Sequence, residues 1–348
     1  QLKNGATNGG APKTGTGAAL RWTGITAAGT YTIVLTKTTN PSCTLTMTGS
    51  ATVTVNPLPT LFTVSGGGTM CSGAAGFSVA LNGSQTGVNY QLKVGSTNVG
   101  TALAGTGSAL SWTNNTTAGA YTIVATNATT SCTATMSGNA VITVNVLPTA
   151  FTVSGTGNYC AGDTGLTIGL SGSQSGVNYQ LKLGGVGVGS VLPGTGSALS
   201  WANNTSAGNY TISATNATTA CVNTMTGSAT VTVNPLPAAF TVGGTGSFCS
   251  QGAGLPVTLS GSVSGTNYQL KAGSTNVGVA SAGTGTALTW PNQTTGGTYT
   301  IVATIVSTGC SVTMTGSAVI TVKALPAAAT VSGGGIYIEN VKHEPNID

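Results

Sequence analysis

Seven cysteines are the side chains in this chain best suited to covalent chemistry, and their spacing is regular. Cys71 and Cys132, Cys160 and Cys221, and Cys249 and Cys310 are each 61 residues apart, each pair recurs after 89 residues, and Cys43 stands alone ahead of them. No two cysteines have C-x-x-C spacing and the single histidine is His343, so metal binding is the weaker alternative. The cysteines read instead as disulfides, and through them as an oxidising, extracellular setting. Pairing inside each 89-residue unit closes all three pairs and leaves only Cys43 unmatched, its expected partner falling ahead of residue 1. The alternative joins neighbouring units, Cys71 with Cys221 and Cys160 with Cys310. A bridge enclosing some 60 residues stabilises by roughly 4 kcal/mol in the chain-entropy picture.

Other residues able to do chemistry are few. Through residues 1–323 the only carboxylate is Asp163, and no histidine occurs there. Neither a carboxylate pair nor a Ser-His-Asp set can be assembled in the repeated body, which argues against an enzyme and implies no cofactor. Asp163 beside Gly162 reads as a turn residue. Gly105 to Ser108 is followed by no Gly-Lys-Ser/Thr, so it is a turn and not a phosphate loop. Near the end, Glu339, Lys342, His343, Glu344 and Asp348 bring charge that is absent elsewhere; His343 with Glu344 reads as part of a solvated connector in preference to a metal site.

Net charge excludes further classes. The chain carries +5 with only 4% charged residues, and Lys3, Lys13, Arg21 and Lys37 supply much of it. One recurrent lysine per unit (Lys93, Lys182, Lys271) cannot neutralise a phosphate backbone, so nucleic acid is not a partner. No stretch reaches the 18 apolar residues that would span a bilayer.

These residues are positioned by strands. Val, Ile, Leu and Tyr alternate with polar residues, sustained helical spacing is absent, and β-branched Thr and Val abound. In the unit 57–145, Phe62-Thr63-Val64 begins a strand that Gly66-Gly67-Gly68 breaks. Phe77 to Leu81 and Val88 to Val94 follow, with Tyr90 and Leu92 on one face. Leu110-Ser111-Trp112, Tyr121-Thr122-Ile123-Val124 and Ile142-Thr143-Val144 complete about seven strands. The fold class is all-β: a tandem array of immunoglobulin-like antiparallel sandwiches. The boundaries are 1–56 (the C-terminal part of a repeat, since Gln1-Leu2-Lys3 matches Gln91-Leu92-Lys93), 57–145, 146–234, 235–323, and 324–348 as the start of a next or different module. Short joints such as Pro57-Leu58-Pro59, Val146-Leu147-Pro148 and Pro235-Leu236-Pro237 have restricted backbones, from which a rod is expected.

In such a topology a cysteine ahead of the second strand and one behind the sixth fall at opposite poles. Pairing within a unit then needs displaced strand ends; pairing across units does not. Trp112, Trp201 and Trp290 alternate with leucines toward the core, the competing reading being sugar-stacking platforms that contact glycan. The Thr-rich strands present uncharged faces of the kind that bind crystalline glycan or simply cover a β-surface.

The recurring Leu58-Pro59, Cys71-Ser72-Gly73, Tyr121-Thr122-Ile123, Cys132 and Thr143-Val144-Asn145 resemble the Ig-like and PKD-like repeats of giant Bacteroidota surface adhesins, of the SprB gliding-motility type, over about residues 1 to 335. What the resemblance implies is secretion by the type IX system, display on the outer surface of a Gram-negative cell attached to its outer membrane, and a stalk role in adhesion or gliding. Partners are then neighbouring repeats and, beyond them, external surfaces or polysaccharide; homo-assembly into a filament or sheath is the rival. The acidic clusters of calcium-binding modules are missing, so no calcium is implied.

Overall fold

The computed structural model describes residues 1–335, apart from the side chain of Asn40. His343, Glu344 and the other charged residues of the tail lie outside the described residues. The described residues fall into two compact units, 1–148 with 218–221, and 149–217 with 222–335.

The first unit opens with a five-stranded sheet: β1 (Leu2–Asn4), β2 (Thr7–Asn8), β3 (Gly29–Lys37), β4 (Asn40–Thr46) and β5 (Ala51–Val53). Eight strands follow: β6 (Val64–Cys71), β7 (Phe77–Leu81), β8 (Val88–Val94), β9 (Thr97–Ala104), β10 (Leu110–Asn115), β11 (Gly119–Asn127), β12 (Thr133–Thr135) and β13 (Ala140–Asn145). They build two layers, β10-β7-β6 and β6-β13-β11-β8-β9, with β12 on β11. Every pairing is antiparallel except β6 on β13, where Gly67 to Cys71 run parallel to Val141 to Asn145.

The strand β6 belongs to both layers, and glycine makes that possible. Its first part, Val64 to Gly66, pairs with β7, and from Gly67 onward it pairs with β13. At the crossing φ is +107° for Gly66 and +83° for Gly67, and a Cβ on either would meet a carbonyl oxygen, Ser78 at 2.2 Å or Val141 at 2.3 Å. The expected strand break at Gly66-Gly67-Gly68 is therefore a change of sheet: hydrogen bonding continues because glycine tolerates a bend that would strand other residues in a strained backbone. In the next repeats the same crossing does interrupt the strand, giving Val153–Ser154 and Gly157–Cys160, then Val242–Gly243 and Gly246–Cys249.

The alternation along each strand fills the space between layers. Val79, Leu81, Tyr90, Leu92, Ile123 and Ala125 are fully buried, together with Val64, Met136 and Ile142. Residues 153–231 and 242–320 build equivalent cores around Tyr179, Leu181 and Ile212, and around Tyr268, Leu270 and Ile301. With β10-β7-β6 facing β6-β13-β11-β8-β9, and the same order in the two repeats that follow, each is an immunoglobulin-like sandwich, and the described chain is an all-β tandem array of them.

Candidate functional site

The sulfur chemistry follows from the two ends of each sandwich. Cys71 ends β6 and is level with Asn145, the last residue of β13; Ser72 N donates to Asn145 O at 2.8 Å. The early cysteine is thus fixed at the outgoing end, where the chain leaves for the next repeat. Its counterparts repeat the arrangement, with Cys160 level with Asn234 and Cys249 level with Lys323.

The late cysteine lies at the other end. Gly119 at the start of β11 pairs with Ile142, three residues before Asn145, and β11 then runs away from that end to Asn127. Asn127 N donates to Cys132 O at 2.9 Å, so Cys132 is level with the far end of β11. Its Sγ lies 4.0 Å from Asn56 O in the incoming joint. At a rise of about 3.3 Å per residue, the two cysteines of one repeat stand roughly 35 Å apart along the strands, whereas a disulfide needs Cα atoms within about 7 Å.

Pairing within a unit is therefore corrected by the fold. Cys71 is bonded to Cys221 with Cα atoms 5.6 Å apart, and Cys160 to Cys310 at 5.5 Å, each pair 150 residues apart in sequence. Each bridge joins the early cysteine of one repeat to the late cysteine of the next. Each bridge encloses a joint, Asn145 to Pro148 in one case and Asn234 to Pro237 in the other. Cys43, Cys132 and Cys249 carry free thiols; Cys132 and Cys249, expected in bridges, are unbonded because neither has a counterpart at the required register among the described residues. Cys221 and Cys310 are fully buried, while Cys249 is exposed.

The three tryptophans lie inside. Trp112, Trp201 and Trp290 are 8, 6 and 8% exposed, pairing across to Val79, Ile168 and Val257, so none offers a ring face to a sugar. Trp201 Nε1 donates to Ser190 O at 3.0 Å, while the indole nitrogens of Trp112 and Trp290 find no acceptor. Asp163 is exposed in the turn after Cys160, its backbone N donating to Cys160 O. Among the described residues no group of three His, Cys, Asp or Glu converges. No helix among them is long and apolar enough to cross a membrane. A concavity lined by Lys3, Lys13 and Lys37 lies in the first sheet; Lys3 already donates to Asn8 Oδ1 and Lys13 to Arg21 O.

One recurrent device was not drawn from the sequence. Tyr121 Oη donates to Thr117 O at 2.9 Å, Tyr210 to Ser206 O at 2.9 Å, Tyr299 to Thr295 O at 2.8 Å and Tyr31 to Ala27 O at 2.8 Å. This is the tyrosine corner of immunoglobulin-like folds, a phenol at the start of the sixth strand tying back the preceding turn. The YTI triplet carried the signal, its first letter being the anchor.

Strand order and tyrosine corner define the class, a multidomain immunoglobulin-like array. No protein-family profile and no curated protein sequence matches the chain. Solved structures similar to it include immunoglobulin domains 1–5 of Sidekick-1, 17% identical, with 86% of this chain and 68% of that chain covered and a TM-score of 0.28. The N-terminal eight Ig domains of Down Syndrome Cell Adhesion Molecule are 18% identical over 85% of this chain, which spans 40% of that one, with a TM-score of 0.42. The I9–I11 tandem of titin is 16% identical over 76% of this chain and all of that one, with a TM-score of 0.25.

Proposed function

We propose that the chain is a load-bearing spacer, the repeat region of a long extracellular adhesin, with the repeats bounded at 57–145, 146–234 and 235–323. The observation that carries this reading is the placement of both disulfides across joints. A bridge inside a sandwich would strengthen a fold; these bridges tie successive folds to each other, which serves a chain that is pulled from its ends. An oxidising compartment is needed to form them, which supports export from the cell. The repeated body supplies one carboxylate and no histidine, a composition that supports a non-catalytic role. A Bacteroidota gliding-type adhesin attached at the outer membrane is the particular setting suggested by the motif pattern. In that setting these repeats hold a distal tip away from the cell.

The multivalent glycan-binding alternative draws less support, since its three aromatic platforms are core residues. Retention on insoluble polysaccharides and a glycan array tests the choice. A spacer is not retained, and Trp201→Ala lowers its melting temperature. Retention abolished by that substitution at unchanged melting temperature refutes the spacer. Solution sizing addresses the filament alternative: a spacer stays monomeric at micromolar concentration.

A further inference from the structure

Cations are scarce along this chain, yet Lys3, Lys13 and Lys37 line one concavity of about 630 Å³ on the first sheet. That volume lies within the roughly 300–1,000 Å³ of small-molecule sites. Lys3 stands on β1 next to the buried Leu2 and therefore on the opposite face; Val34 and Thr36, which also line the space, alternate in the same way with the buried Tyr31 on β3. The corresponding Lys93, Val124 and Thr126 lie outside the core of residues 57–145, so the concavity is on the solvent side of the sheet. Thr14 and Thr44 add hydroxyls to the lining, and no carboxylate lines it.

Two of the three lysines are peculiar to this sheet. With Trp22 aligned on Trp112, Lys13 takes the place of Leu103, Leu192 and Ser281, and Lys37 that of Asn127, Asn216 and Ile305. Lys13 Nζ donates to Arg21 O and lies 5.7 Å from the centroid of the Trp22 ring, which helps to hold it. Lys3 Nζ donates to Asn8 Oδ1 at 2.7 Å. Both acceptors are neutral, so each ammonium keeps its charge and further N–H donors for a ligand.

We propose that this concavity binds a small oligophosphate. Three like charges around one space are unfavourable until an anion enters, and a ligand with several charges meets all three. Lysine favours phosphate over carboxylate here. An ammonium is a point charge suited to a tetrahedral oxyanion, whereas a planar carboxylate is matched by the arginine fork, and no guanidinium lines the concavity. The repeats at 57–323 carry only the counterpart of Lys3 (Lys93, Lys182, Lys271) among these three positions, so the site belongs to the first sheet alone and stands apart from the spacer role.

Calorimetric titration of the full chain with inorganic tripolyphosphate is the test. One site per chain is expected, with inorganic phosphate and citrate binding more weakly. Lys13→Leu and Lys37→Asn, which install the side chains found in residues 57–145, are each expected to weaken tripolyphosphate binding about tenfold, the loss of one charge-assisted contact. Lys182→Gln and Lys271→Gln remove the same charge outside the concavity and are expected to leave the affinity unchanged. Lys37→Asn decides alone where Lys13→Leu alters the melting temperature. Absence of binding, citrate bound as tightly as tripolyphosphate, or an equal loss from Lys182→Gln overturns the proposal.

Discussion

Pulling on the two ends of single-cysteine variants distinguishes the pairings by length alone. With both bridges closed, the shortest covalent route runs from residue 1 to Cys71, across to Cys221, back along the chain to Cys160, across to Cys310 and on to residue 348. It contains about 170 residues, or about 580 Å at about 3.4 Å each, against about 1,180 Å when the bridges are reduced. Bridges inside each repeat would give nearly the same total, so the single variants are decisive. Cys71→Ser breaks the first bridge, and the route then follows the chain from 71 to 160 instead of returning from 221; it gains about 28 residues, about 95 Å. If Cys71 were bonded to Cys132, the same substitution would free about 61 residues, about 210 Å. Cys132→Ser changes nothing in the first case and adds about 210 Å in the second. Force-extension curves of single molecules under oxidising conditions resolve these values. A gain near 210 Å for Cys71→Ser, or any gain for Cys132→Ser, refutes the pairing across joints.

Other outcomes follow from particular residues. Tyr210→Phe removes the bond to Ser206 O, lowering stability by about 1 kcal/mol in denaturant unfolding, with Tyr121→Phe and Tyr299→Phe equivalent; no change at any of the three refutes a stabilising role for the corner. Trp201→Phe gives up a hydrogen bond that Trp112 and Trp290 lack, so it is expected to destabilise by about 1 kcal/mol more than Trp112→Phe, read from calorimetric transitions of the full chain. Gly67→Ala forces a side chain against the Val141 carbonyl at φ +83°, whereas Gly73→Ala at φ +82° meets open space. About 3 kcal/mol is expected for the first and about 1 kcal/mol for the second. Reducing one bridge removes up to about 5 kcal/mol, the chain-entropy value for a loop of 150 residues; a thermal transition indifferent to reductant contradicts this.

Much of the fold was legible because strands announce themselves locally. The alternation of Phe77 to Leu81 and of Val88 to Val94 marks strands whose observed bounds coincide with those residues, and Leu110 with Trp112 faces inward as their spacing requires. The glycine run was harder to read. Local propensity treats Gly66-Gly67-Gly68 as a stop, while the parallel partner β13, more than 70 residues away, lets the strand continue in the other layer. The tyrosine corner was hidden for a similar reason, since a period-two pattern assigns Tyr121 to the core without revealing where its hydroxyl goes.

The cysteines draw the line between local and tertiary information most sharply. The 89-residue period, the strand pattern, the absence of a catalytic set and the expectation that sulfur closes bridges are all written in residue types and intervals. Which sulfur meets which is not, because spacing along a chain carries no information about the pole at which each residue emerges. That depended on the direction of β11 against β13 and on the parallel seating of β6, which together hold Cys71 and Cys132 about ten strand residues apart, and Cys71 is bonded to Cys221 instead.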